Sequence, residues 1–156
     1  MPFSLELKIP PPLVAAAVAG GMYAAVSLLP AVPLGLAPGA QLLLALGLAG
    51  AGACCDVAGL LAFRRASTTV NPLTPQRSAA LVTTGVYRFT RNPMYLGLAL
   101  VLLGLAVYLG SPWALAGPLV FAAYLTRFQI VPEERALAAR FGTAHAAYCA
   151  RVRRWL

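Results

Sequence analysis

The sequence predicts an all-α, polytopic membrane protein with four transmembrane helices, the third and fourth forming a helical hairpin, followed by a cytoplasmic helical tail. Three observations carry that prediction. First, 60% of the 156 residues are hydrophobic and only 10% charged, with a mean hydropathy of +0.78, whereas soluble domains carry about 25% charged residues. Second, the charge is partitioned. Residues 9–63 hold one charged side chain, Asp56, and residues 92–126 hold none; residues 64–91 hold five arginines and no acid, and 127–156 hold six arginines against Glu133 and Glu134. Third, the uncharged blocks are long enough for passages of about 20 residues through a bilayer. A disordered chain is excluded, because disorder needs low hydrophobicity and high charge.

The first span is predicted over 13–29, after Pro10-Pro11-Pro12, which blocks helix upstream. Lys8 alone is a feeble basic region for a cleaved leader, so this segment is read as a retained span. The second covers 41–63, beyond an uncharged Pro/Gly link. The third, 94–109, is short. The fourth, 113–131, follows it across Gly110-Ser111-Pro112, a link too tight for anything but a hairpin. One membrane domain, 1–156, thus contains a loop at 64–93 and a tail at 132–156. Both are arginine-rich while the other links are uncharged, so the positive-inside rule puts the loop and both termini in the cytoplasm. High Ala, Leu, Gly and Arg with a single lysine points to a GC-rich bacterial genome, hence the bacterial inner membrane. The loop is too long for a simple connector. Asn71-Pro72 and Thr74-Pro75 break its first half, and 78–87 is predicted to lie at the interface as a short helix.

The net charge of +8 does not indicate nucleic acid, since no basic patch is interleaved with exposed aromatics. Cys54, Cys55 and Cys149 make no disulfide framework. With His145 the only histidine, no zinc set exists at ligand spacing and no metal is expected. Gly47, Gly50, Ala51, Gly52, Ala53 and Gly59 let the second span approach another helix closely, within the chain or in a homodimer. Asp56 lies about 10 Å from the cytoplasmic end of that span. It is either functional, as intramembrane acids are by default, or half of a structural pair with an arginine such as Arg127.

The chemistry-bearing residues converge on the cytoplasmic rim, because two short spans and a turn return the chain from Gly97 to Glu133. Arg88 and Arg91 can clamp a carboxylate or phosphate. The start of the third span offers free N–H groups to an anion. Glu133 or Glu134 can accept from hydroxyls or balance a cation, and Tyr87 and Tyr95 supply a donor and an aromatic wall. Arginines at span ends also snorkel or bind anionic lipid, so a non-catalytic lipid- or partner-binding protein stays open at this point.

The segment Gly85-Val86-Tyr87-Arg88-Phe89-Thr90-Arg91-Asn92-Pro93-Met94-Tyr95-Leu96-Gly97, with Glu133-Glu134-Arg135 and Phe141-Gly142, resembles the isoprenylcysteine carboxyl methyltransferase family, which is similar here to phospholipid N-methyltransferases. The resemblance covers roughly residues 78–156. It implies an integral membrane methyltransferase using S-adenosylmethionine in a cytosol-facing pocket between the hairpin and the tail, with a lipophilic small-molecule or lipid acceptor arriving from the membrane lipids. Cofactor binding is expected of Gly85, Tyr87, Arg88, Arg91, Asn92, Tyr95, Gly97, Glu133 and Glu134, and the reacting end of Arg127 and Glu134. Asn92 stands where the family has histidine and cannot titrate near neutral pH. Tyr148, Arg151, Val152, Arg154 and Trp155 are similar to the family's ending, while Arg153 replaces a common proline. Methyl transfer from a sulfonium needs no metal; the protein aligns the reactants, which supplies about 7–11 kcal/mol. The leading expectation is a carboxylate or thiol acceptor, with phospholipid N-methylation of phosphatidylethanolamine as the alternative.

Overall fold

The computed structural model describes residues 5–66 and 80–156, and among these every regular element is helical. Helix α1 is Pro11–Leu28, α2 Pro38–Arg65, α3 Pro93–Leu109, α4 Ala116–Leu125 and α5 Val131–Arg151. Prolines sit in the first turn of α1, α2 and α3, where an N–H would have no intrahelical partner. Three helical stretches are long and apolar enough to cross a membrane: α1, α2 and the 40-residue run Pro112–Arg151. Only the apolar first half of that run suits lipid, since the charged residues from Glu133 onward follow it. Helix α3 is apolar but shorter, at 17 residues. Leu28, Leu43 and Leu119 project from α1, α2 and α4 into the surroundings, as expected of an integral membrane protein whose solvent is hydrocarbon.

The closest packing is between α2 and α3. A Cβ on Gly97 would lie 2.7 Å from the Gly52 carbonyl oxygen, and one on Gly104 would lie 2.7 Å from that of Ala45. The small residues of α2 are therefore divided. Ala45, Gly52 and Gly59 are buried, with Gly52 and Gly59 against α3, while Gly47 and Gly50 face open space. On the other side of α3, Leu102 and Ala106 join Val14 and Met22 of α1 and Phe121 and Leu125 of α4 in the core.

Both uncharged links lie at one end of the molecule. The Leu34 N–H donates to the Gly110 carbonyl (2.9 Å), and the Trp113 indole donates to that of Pro30 (2.9 Å). Gly110, at φ 66°, ends α3 in the left-handed conformation that glycine adopts without cost. The described parts of the arginine-rich segments gather at the opposite end. There α4 continues through five π-helical residues, Thr126–Ile130, into α5. Pro132 explains the wide turn: it lacks the N–H that the Phe128 carbonyl would accept in a regular α-helix. That carbonyl accepts instead from the Leu7 N–H at 3.0 Å.

Two expectations change. The helix predicted over 78–87 is not formed where it is described: residues 81–83 are irregular, and only Gly85–Arg88 makes a 3-10 turn. Gly85, at φ 61°, interrupts the right-handed path a helix needs. Ser78, Ala79 and the breaks at Asn71-Pro72 and Thr74-Pro75 lie outside the described residues. Asp56 also does not pair with Arg127. Its Oδ1 is buried against Gly97 in the α2–α3 seam with no hydrogen-bond partner among the described residues, while Arg127 pairs with Glu6 at 2.8 Å.

Candidate functional site

Immediately beyond the apolar half of the long run, Gln129 and Glu133 share a helix face four residues apart. Glu133 Oε1 accepts from the Tyr95 hydroxyl at 2.5 Å and from Gln129 Nε2 at 2.6 Å. Burial pushes this carboxyl up to about 7; the Tyr95 and Gln129 bonds counter that, and neighbouring Glu134 reinforces it. A carboxyl whose folded pKa is raised adds stability that is full below the unfolded value, 4.5, and lost as pH rises through about 7. Thermal unfolding in detergent should therefore show the wild-type Tm falling across that window relative to Glu133→Gln. Parallel pH curves for the two proteins would contradict this environment for Glu133.

Glu134 occupies a different setting. Arg154 clamps it through Nε (3.1 Å) and Nη2 (2.8 Å), and Arg91 Nη2 lies 3.1 Å from its Oε1. Paired guanidinium groups are strong, geometrically specific carboxylate partners. Arg91 also contacts Cys149 Sγ, which lies 3.6 Å from His145 Nε2. Burial holds the His145 imidazole below its ordinary value, and Arg91 adds to the effect. Arg91 Nε is buried with no hydrogen-bond partner among the described residues, so this guanidinium retains one unspent donor.

The segment 152–156 folds back over the site. The Arg91 N–H donates to the Arg153 carbonyl (3.0 Å), Asn92 Nδ2 to that of Arg154 (2.9 Å), and the Trp155 indole to Thr126 Oγ1 (3.1 Å). The Tyr148 hydroxyl donates to the Tyr87 carbonyl at 2.7 Å, and burial pushes that phenol up to about 12. Tyr87 is itself buried, edge-on to Phe63 of α2 with ring centroids 5.4 Å apart.

Of the residues expected from sequence, Tyr87, Arg91, Asn92, Tyr95, Glu133 and Glu134 come together. Gly85 is exposed with open space around it, and Arg88 is exposed at the end of the same turn. Gly97 faces α2, so its open side is filled by Gly52 and Asp56 rather than left for a ligand. Arg127 lies apart from the cluster: it is exposed, stacked 5.3 Å from the Phe128 ring centroid and paired with Glu6. Gln129 was missed, although a glutamine four residues before Glu133 at the end of an apolar run was a usable signal. Thr90 and Arg154 were not assigned to the site either. Thr90 Oγ1 bonds the Arg154 carbonyl at 3.3 Å across 64 positions, and Arg154 reaches Glu134 across 20; no local pattern shows such pairing.

Comparison with known proteins gives a family match. The phospholipid methyltransferase family model matches residues 40–144, more than half of the chain and all of the site up to α5's kink at Gly142. An uncharacterised protein of Haemophilus influenzae is 41% identical over 63 residues, which is 40% of this chain and 100% of that protein. No solved structure matches the chain.

Proposed function

Because the chain belongs to the phospholipid methyltransferase family, we propose that it transfers a methyl group from S-adenosylmethionine to the amine of a phosphatidylethanolamine-type lipid at the cytoplasmic membrane face. In this reading α1, α2, α3 and the run from Pro112 to about Val131 are four spans, with α3 and the run after it as a hairpin. At 17 residues, α3 meets the lower limit for a passage. The arginine-rich end faces the cytoplasm by the positive-inside rule.

The residues present fit the methyl donor. Arg91, with its buried unpartnered Nε, suits the donor's carboxylate. Glu134, oriented by Arg91 and Arg154, suits hydroxyl groups. Asn92, Tyr87 and Tyr95 complete the wall, with Arg88 and Gly85 at the mouth. When bound, the donor supplies a sulfonium methyl open to in-line displacement.

The single observation that favours an amine acceptor is the environment of Glu133. An amine arrives protonated and must lose that proton before it attacks, whereas a carboxylate or thiolate needs no base. A carboxyl raised to about 7 is matched to proton transfer at neutral pH. Its Oε1 is held by Tyr95 and Gln129, leaving Oε2 to take the proton. Arg127, turned toward Glu6, has no part in this step.

The test is transfer of labelled methyl from S-adenosylmethionine by detergent-purified protein, with phosphatidylethanolamine, a long-chain carboxylic acid and a long-chain thiol as parallel acceptors. Label in the phospholipid headgroup is the expected result. Label only in the acid or thiol would overturn the amine reading and restore the isoprenylcysteine-type acceptor. Failure to bind S-adenosylmethionine would remove the methyltransferase assignment in favour of a lipid- or partner-binding role.

A further inference from the structure

The junction of α4 and α5 carries a second charged constellation on its outer side, away from Glu133. Arg127 and Arg135 are both exposed, and both reach a single carboxylate: Arg127 Nη1 bonds Glu6 Oε1 at 2.8 Å, and Arg135 Nη2 bonds Glu6 Oε2. Two guanidinium groups from one helix run thus converge on the two oxygens of one anion. Glu6 is held there by the backbone, since the Leu7 N–H fills the Phe128 carbonyl that Pro132 leaves without its usual donor. Leu7 adopts a left-handed φ of 55° to do so, a conformation uncommon for a residue other than glycine. Only four acids exist in the whole chain, and one of them is placed on this pair.

We propose that Arg127 and Arg135 form a binding site for the phosphodiester of an anionic membrane phospholipid, one whose headgroup carries no ammonium to cancel the phosphate's charge, and that Glu6 is the chain's own anion capping it. The two non-bridging oxygens of a phosphodiester offer guanidinium groups the same two acceptors as a carboxylate. Arg127 follows directly on the lipid-exposed helix α4, the depth at which headgroup phosphates lie, and exposed Leu119 and Val120 of α4 give a seat for the attached chains. Exposed ion pairs such as those of Glu6 contribute little net stability, so a lipid phosphate held at high local concentration by the bilayer can displace the cap. The site rests on the membrane placement of α4 and not on methyl transfer, so its failure would leave the proposed reaction standing.

The experiment measures lipid association by electron spin resonance, using full-length protein in phosphatidylcholine bilayers with trace spin-labelled phosphatidylglycerol or phosphatidylcholine. The wild type is expected to immobilise phosphatidylglycerol in preference. Glu6→Gln, which keeps the Leu7 backbone bond, should raise that preference about three- to tenfold, the size of the two exposed ion pairs it removes. Arg127→Gln/Arg135→Gln should bring it close to one. An unchanged preference in Glu6→Gln, or one that survives the double arginine change, would overturn the proposal. So would loss of the preference on adding inorganic phosphate at constant ionic strength, which would identify a site for free phosphate instead.

Discussion

Glu133→Gln is expected to lower methyl turnover by about 10²–10⁴-fold, the usual contribution of a positioned proton acceptor, while S-adenosylmethionine affinity changes by only a few-fold. The substitution isolates one property. A glutamine carbonyl oxygen can still accept from the Tyr95 hydroxyl and Gln129 Nε2, which now meet Glu133 Oε1 at 2.5 and 2.6 Å. The donors keep a partner, and the junction of α4 and α5 keeps its shape. What disappears is a group that takes up a proton near neutral pH. The acid limb of the wild-type rate profile, set by a carboxyl held at about 7, should disappear with it. Turnover and donor affinity measured on the same preparation test the idea. Activity within threefold of wild type would show that the acceptor needs no base, and a carboxylate or thiol would then be the better substrate class.

The helices and half of the site were legible because each depends on local sequence. Uncharged runs begin at a proline and end at an arginine or a glycine, so α2 and α3 lie within a few residues of their predicted limits. The short return from Gly97 to Glu133 is enough to bring Arg91, Tyr95 and the glutamate pair to one end. Arg127 shows where such reasoning stops. The family resemblance made it a candidate for the reacting end, but helical residues two apart, such as Arg127 and Gln129, point in different directions. Gln129 turns inward to Glu133 while Arg127 turns out to Glu6, 121 residues earlier in the chain. Pro132 was visible as a proline after an apolar run, yet its consequence was not: a freed carbonyl matters only once Leu7 is there to fill it. Asp56 is the same lesson inside the membrane. Charge complementarity suggested an arginine, whereas packing set the carboxyl against the backbone of Gly97.

Gly97→Val should produce a large loss of stability, and it separates two roles for that glycine. A Cβ there would lie 2.7 Å from both the Gly52 carbonyl oxygen and the Asp56 carboxyl carbon, closer than real Cβ atoms approach. Overpacking a tight contact typically costs about 1–3 kcal/mol and sometimes more. The upper end is expected here, because one obstacle is helix backbone rather than the tip of a flexible side chain. Pushing α3 away from α2 would also loosen Gly52, Gly59 and Gly104, which share the seam. Gly47→Val is the control, since a Cβ at Gly47 meets nothing within 4 Å. In detergent, Gly97→Val should unfold many degrees below wild type while Gly47→Val melts close to it. If Gly97→Val instead melts with the control but fails to bind S-adenosylmethionine, the glycine serves the cofactor directly and the packing account is wrong. The two outcomes differ because Tyr95, two residues earlier on α3, reaches Glu133 only while α3 holds its place against α2.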